Sequence, residues 1–166
     1  MQPVVGPGGE HVAAREAGPL SELQCGDKPL MAMAGARCTH LLGTAMTSGG
    51  DTPDSTAAFD GDTCSVWKSG GPAPKFAAVD FGVKHMISSV LLAPAMTERG
   101  HVKLAIEASD DGLAYHTVFI VDADVDGVHA YEVPSPLPFV ARVVRVSTLE
   151  SPSWVAWREI AVLECS

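Results

Sequence analysis

The stretch VKLAIEASDDGLAYHTVFIVDA, residues 102–123, holds two strand-like runs separated by a turn signal. In its first run every second residue is apolar, which is the period of a β-strand with one buried face. Asp-Asp-Gly at 110–112 is typical of a tight turn, and a second apolar run leads away from it. We therefore predict an antiparallel hairpin made of 102–109 and 115–122.

Other short apolar runs flank this hairpin on both sides, and the chain contains no credible long helix. Seven or eight short strands of this kind predict an all-β fold, and we expect a single antiparallel β-sandwich. The runs outside the hairpin are 76–82, 87–94, 129–134, 139–148 and 158–164.

The composition, with 46% hydrophobic and 19% charged residues in a chain of 166, is that of one ordinary folded domain. The first 24 residues differ from the rest because they are rich in Gly, Pro, Ala and Glu and lack sustained periodicity. We interpret 1–24 as a poorly structured leader or linker and 25–166 as the β-sandwich domain.

The net charge of −9 argues against a nucleic-acid partner, because phosphate binding requires clustered Lys and Arg and no basic run occurs. An acidic surface is compatible with calcium or with a neutral ligand such as a sugar. No apolar run reaches the roughly 18 residues of a transmembrane helix, so we expect no membrane span.

The four cysteines are Cys25, Cys38, Cys64 and Cys165, and no CxxC pair occurs among them. Four cysteines allow three disulfide pairings, and their spacing does not choose between them. A zinc site built on Cys38 and His40 has the wrong spacing and no second ligand pair. Disulfides suit an extracellular protein, whereas the first residues show no secretory signal, so the compartment stays open.

Two aspartates, Asp60 and Asp62, flank a glycine in DGDTCS, where a sharp turn can aim both carboxylates inward. Ser65 adds a hydroxyl three residues later. An oxygen-rich cluster of this kind suits calcium, which takes about six to eight oxygen ligands. The alternative is an Asp-Gly turn whose side chains accept hydrogen bonds from local amides.

Motifs of catalysis are missing from the sequence. The six histidines are scattered, no G-x-S-x-G elbow occurs, and no Gly-rich loop opens a helix. The alternating acids of VDADVDG, 121–127, fall short of the EF-hand pattern and are interpreted as a solvated acidic loop. We therefore expect a protein that is not an enzyme.

Four blocks of the sequence resemble discoidin domains, also called coagulation-factor type C domains, and they occur in that family's order. The likeness spans about 39–165 and implies an eight-stranded jelly roll of the galactose-binding-like class. Most members of the family are non-catalytic binding modules. The blocks are HLLGTAMTSGGDTPDSTAAFDGDTCSVWKSGG (40–71), KFAAVDFGVKHMISSVLLAP (75–94), LAIEASDDGLAYHTV (104–118) and ARVVRVSTLESPSWVAWREIAVLEC (141–165).

The resemblance also implies a structural calcium ion that joins the early loop to the last strand. By position, the implied ligands are the carbonyl oxygens of Ala57 and Arg158, the side chains of Asp60, Asp62 and Ser65, and the carboxylate of Glu159.

A sugar site is implied in loops at one end of the sandwich, where an aromatic ring stacks on the sugar and polar side chains bind its hydroxyls. Trp154 follows a proline in a predicted loop, whereas Trp67 and Trp157 are expected in the core. Met96 is the one obvious apolar side chain for membrane insertion, so lipid binding is disfavoured. The candidate sugar ligands are Lys68, Arg99, His101 and Trp154, with Glu98 as a further acceptor.

The family pattern implies that Cys165 pairs with Cys25 or Cys38, and that Cys64 takes the remaining cysteine. It also favours an extracellular or cell-surface location. The resulting hypothesis is a non-catalytic binding module with a structural calcium ion that recognises carbohydrate. The alternative is a structural or protein-interaction module of a larger assembly, which would bind a protein surface.

Overall fold

The computed structural model describes residues 4–5, 11–12, 14–16, 19–22, 38–43, 45–49, 54–96, 98–127 and 129–165. Most of these residues lie in β-strands. A 3₁₀ helix at Thr56–Ala58 interrupts them, and no helix in these ranges is long and apolar enough to cross a membrane. The strands are β1 (Val4–Val5), β2 (His11–Val12), β3 (Ala14–Glu16), β4 (Pro19–Glu22), β5 (Cys38–His40), β6 (Ala45–Ser48), β7 (Trp67–Pro72), β8 (Lys75–Pro94), β9 (Gly100–Ser109), β10 (His116–Val125), β11 (His129–Glu150) and β12 (Trp154–Cys165).

The predicted all-β fold is confirmed, and the strands β5–β12 match the predicted number of about eight. The predicted hairpin is also confirmed, because β9 and β10 pair antiparallel with His116 opposite Ala108. At its turn the Asp111 carboxylate accepts hydrogen bonds from the backbone N–H groups of Leu113 and Ala114, at 2.8 and 3.0 Å. These bonds stabilise the turn that the Asp-Asp-Gly sequence predicts.

Two pairs of predicted short strands are each one long strand, which corrects the prediction. The runs 76–82 and 87–94 both lie in β8, and 129–134 and 139–148 both lie in β11. Apolar periodicity reports burial and does not report backbone pairing. His85 and Met86, between the two runs of β8, still pair with β11, whereas the pairing of β11 shifts register between Pro134 and Phe139. Gly82, with a φ of +81°, lies inside β8 and gives that strand a conformation that other residues rarely adopt.

The two long strands take part in both layers of the sandwich. The first half of β8 and the second half of β11 form one layer with β6, β9 and β10. The second half of β8 and the first half of β11 form the other layer with β5, β7 and β12. Strands that bend from one layer to the next hold the two layers together.

The hydrophobic core fills the space between these layers. Val79 and Ile106 enter it from the first layer, and Ile160 enters it from the second. Trp67 and Trp157 are 2% and 1% exposed, as predicted for core residues. Burial of each large apolar side chain stabilises the fold by about 1.5–3 kcal/mol.

A disulfide between Cys38 and Cys165 joins the start of the sandwich to its last strand. The two cysteines face each other where β5 pairs with β12. This is one of the two pairings that the family resemblance implied for Cys165. Cys64 is also disulfide-bonded, and Cys25 lies outside the described residues.

Short strands also occur in the segment that we interpreted as a leader. There β1 pairs with β2, β3 pairs in parallel with β10, and β4 pairs with β11. The division of the chain at residue 24 stays a prediction.

Candidate functional site

The acidic loop between the 3₁₀ helix and β7 folds around the hydroxyl of Ser65. This oxygen lies 2.6 Å from Oδ2 of Asp60, 2.9 Å from the carbonyl oxygen of Asp62 and 3.4 Å from that of Ala57. Gly61 has a φ of +76°, which glycine adopts without strain. The turn therefore gathers the four oxygen-bearing loop residues that we assigned from the sequence.

Glu159 reaches this loop from β12. Its Oε2 accepts a hydrogen bond of 2.9 Å from the backbone N–H of Gly61. The side chain is fully buried, and Oε1 makes no hydrogen bond with any described residue. Burial first, and then the negative charge of Asp60, raise the pKa of Glu159 to about 9. Without a cation, this carboxyl group is therefore protonated at neutral pH.

The other contacts of the loop carboxylates are local. Oδ1 of Asp60 accepts a hydrogen bond from the N–H of Asp62, and Oδ1 of Asp62 accepts one from the N–H of Cys64, at 2.9 and 2.8 Å. These are the contacts with local amides that the alternative interpretation, an Asp-Gly turn without a metal ion, predicts. As they stand, the described residues contain no group of three His, Cys, Asp or Glu side chains arranged to hold a metal ion. The assignment to calcium stays a prediction.

A cleft rich in cationic residues lies next to the acidic loop. Lys68, Arg99 and Arg158 line it, and its volume is about 470 Å³. Trp154 lines an adjoining pocket of about 240 Å³, to which Lys68 also contributes. Lys68 therefore connects the two openings into one continuous surface. The remaining residues of the cleft are Val66, Ala95, Met96, Asp126 and Gly127.

Strand pairing decides which of these side chains face outward. In the ladder of β7 and β12, Ala156 lies opposite Lys68, and Trp157 lies opposite Trp67. Successive residues of a strand point to opposite faces, so the two tryptophans enter the core while Lys68 stays exposed. Trp154 is 63% exposed, as predicted, although it is the first residue of β12 rather than a loop residue.

His101, a candidate sugar ligand, and Met96, the candidate for membrane insertion, take other positions than those predicted. His101 lies on β9, where its Nε2 is 2.9 Å from Asp122 and its Nδ1 is 3.5 Å from Asp124. In the hairpin it lies opposite Asp124 of β10, and it is not among the residues that line the cleft. Met96 is 1% exposed and lies beneath the cleft, so it is not an exposed apolar side chain for membrane insertion.

A family model decides what kind of domain this is. The F5/8 type C domain model matches residues 43–160, which are more than two thirds of the chain. The chain belongs to this family. The match confirms the resemblance that the four sequence blocks carry. A comparison with curated proteins found no match at the level of sequence.

The F5/8 type C domain also shares its fold with solved carbohydrate-binding modules. One is chitosan-binding module 1 of the chitosanase/glucanase from Paenibacillus sp. IK-5, with a TM-score of 0.61 and 22% identity, covering 75% of this chain and 98% of that chain. Another is the family 32 module of C. perfringens NanJ in complex with galactose, with a TM-score of 0.61 and 17% identity over 76% and 99%.

A third is the family 32 module of AlyQ in complex with 4,5-unsaturated mannuronic acid, with a TM-score of 0.59 and 16% identity over 75% and 97% of the two chains. Identities this low show a shared fold and nothing further. That fold is the galactose-binding-like sandwich that we predicted.

Sequence reasoning missed two charged residues of the cleft in this F5/8 type C domain. Arg158 was assigned only a carbonyl role, but it lies at a register shift of β12 between Trp157 and Glu159. A register shift of this kind re-aims a side chain, and nothing local in the sequence announces it. Asp126 was interpreted as part of a solvated loop, whereas it lines the cleft.

Proposed function

We propose that this F5/8 type C domain is a non-catalytic module that binds carbohydrate at the cleft and at the exposed ring of Trp154. The observation that carries the proposal is the position of this ring. It is 63% exposed beside Lys68, whereas Trp67 and Trp157 are buried in the core.

An exposed indole beside a polar cleft suits a sugar ligand. The C–H face of a pyranose is weakly polar and stacks on an aromatic ring, which contributes buried area. Cationic side chains can then donate hydrogen bonds to the ring hydroxyls and orient the sugar. Trp154 would supply the stacking surface, and Lys68 and Arg99 would supply donors from the adjoining cleft. The solved modules that share the fold are carbohydrate-binding modules, which supports the proposal.

The proposal includes a structural calcium ion in the acidic loop. The support is the chemistry of the donor set. Glu159 is fully buried, one of its oxygens has no hydrogen-bond partner in the described part of the chain, and the loop that carries Asp60 and Asp62 meets it at Gly61. A cation would take up that oxygen and offset the repulsion between the carboxylates. Its ligands would be Asp60, Asp62, Ser65, Glu159 and the carbonyl oxygens of Ala57 and Arg158. The ion would support the fold, because it would join the loop to β12.

A glycan array with the oxidised domain in millimolar calcium tests the carbohydrate proposal. We expect saturable binding to a small set of glycans, and we expect Trp154→Ala to weaken it by roughly tenfold or more because the stacking surface is lost. Leu113→Ala is the matched control, since this side chain is 87% exposed in the β9–β10 turn, away from the cleft. It should bind as the wild type does.

A blank array for the folded wild-type domain would contradict carbohydrate binding. It would leave the protein-interaction module as the better hypothesis. If Trp154→Ala and Leu113→Ala lost glycan binding equally, the sugar would not bind at the proposed surface.

A further inference from the structure

We infer that the cleft selects an acidic saccharide, one that carries a carboxylate on the sugar, as a uronic acid does. This inference rests on the proposed carbohydrate-binding function and names its ligand class. Three of the eleven Lys and Arg residues of a chain with a net charge of −9 line this one cleft: Lys68, Arg99 and Arg158.

The formal charges of the cleft do not cancel. Asp126 is the one acidic residue among those that line it. Its Oδ2 lies 2.8 Å from Nδ1 of His129, and its Oδ1 accepts a hydrogen bond of 2.9 Å from the N–H of His129. The formal charges of the lining residues therefore sum to a positive value. The one negative group, the Asp126 carboxylate, already contacts His129 of β11. An anionic ligand offsets such a concentration of like charges better than a neutral one does.

The three cations converge on one opening. Lys68, Arg99 and Arg158 line a cleft large enough for a sugar residue, and they come from three separate parts of the chain. A neutral sugar needs donors and acceptors but no net charge, so the excess of cations is the feature that a carboxylate explains.

The chemistry of the cations fits a carboxylate in particular. The guanidinium of arginine is planar and can donate two parallel hydrogen bonds to both oxygens of a carboxylate. Lys68 lines the cleft and also the pocket of Trp154. A sugar stacked on this ring therefore lies next to the cations, within the same surface. The protein as a whole is negatively charged, so we expect an acidic sugar to bind at this group of cations.

Calorimetric titration with trigalacturonate and with its fully methyl-esterified trimer tests the inference, because the ester keeps the sugar rings and hydroxyls but carries no negative charge. The oxidised, calcium-loaded domain should bind the acid trimer about tenfold or more tightly than the ester at low salt. The preference should shrink as salt is raised, since partly exposed charges are screened. Arg99→Gln and Lys68→Gln should each reduce the preference. Lys84→Gln, which removes an exposed lysine paired with Asp110, should keep it.

Each other result overturns the inference in a distinguishable way. Equal affinity for the two trimers would refute the acidic ligand class and leave carbohydrate binding intact. Binding of a sulfated galactan trimer but not of trigalacturonate would refute the carboxylate. If the preference for the acid trimer survived both Arg99→Gln and Lys68→Gln, the carboxylate would bind outside the cleft. Failure of every saccharide on the array would instead remove the proposed function.

Discussion

A buried carboxyl group that has no cation beside it is costly to ionise, and Glu159 is such a group. Its side chain is fully buried, one oxygen has no partner among the residues that the structure describes, and Asp60 adds a negative charge nearby. The pKa of about 9 expresses both effects. At the residue scale, Glu159 therefore holds a proton at neutral pH when no cation is bound, and we propose that calcium can replace that proton.

The stability of the calcium-free domain should depend on pH through Glu159. Its pKa is about 9 in the folded protein against 4.5 in an unfolded chain, so the folded state holds one more proton between these values. The stabilisation from this group is complete below about pH 4.5 and is lost as the pH rises through about 9. In chelator, the melting temperature of wild type relative to Glu159→Gln should fall by several degrees over this range.

The neutral amide of Glu159→Gln does not titrate, so the difference between the two proteins isolates this residue from all other ionisable groups. A difference that stays constant across the range would refute the raised pKa. Saturating calcium should reverse the trend for wild type, because a bound cation favours the ionised carboxylate.

At the scale of elements, the long strands β8 and β11 depend on contacts at the place where they bend. Asp80 and Arg142 form a two-pronged ion pair there, with Nε to Oδ1 at 2.9 Å and Nη2 to Oδ2 at 2.7 Å. The pair lies next to a register shift between Ala141 and Val143. A paired geometry of this kind fixes the relative position of two strands where their hydrogen-bond ladder is irregular.

Replacement of Asp80 by Asn should lower the melting temperature at neutral pH by a few degrees, because the ion pair is lost. The hydrogen bond from Arg142 lowers the pKa of Asp80 below 3.8. Its stabilisation is therefore present above that pH and is lost as the pH falls through the lowered folded value. Thermal melts of wild type and Asp80→Asn should converge in acid. Lys84→Gln, which breaks an exposed pair, should change little at either pH.

At the scale of the whole molecule, two ties hold the last strand to earlier parts of the chain. One is the Cys38–Cys165 disulfide at the end of β12. The other is the contact of Glu159 with Gly61, where we propose the calcium ion. The residues that line the cleft are neighbours of the second tie in the sequence. Val66 and Lys68 follow the acidic loop, and Arg158 precedes Glu159. Support of the loop therefore also supports the cleft.

Calcium should raise the melting temperature of the oxidised domain. A ligand that binds only the folded state stabilises it by about 2.7 kcal/mol at a concentration of one hundred times its Kd, which corresponds to several degrees here. Asp60→Asn and Asp62→Ala should each abolish the shift. Asp110→Asn, which removes an exposed acid in another turn, should retain it. Identical melts of wild type in chelator and in millimolar calcium would argue decisively against the ion.

The local patterns of the chain predicted much of this protein. Alternating apolar residues and an Asp-Asp-Gly turn were enough for the β9–β10 hairpin, because strand period and turn chemistry are properties of neighbouring residues. Four short blocks were enough for the family. The buried positions of Trp67 and Trp157 and the exposure of Trp154 were also predicted correctly. The strand ends were not, because β8 and β11 each continue as one strand through two of the predicted apolar runs.

What the sequence determined by itself is therefore the all-β class, the family and the acidic loop. The tertiary structure alone decided which distant groups meet. It placed the Glu159 carboxylate against Gly61, and it brought Arg158 beside Lys68 and Arg99. It also directed His101 of β9 to Asp122 of β10. The physical reason is that register between strands is set by pairing across the whole sandwich, whereas sequence periodicity reports only which face of a single strand is buried.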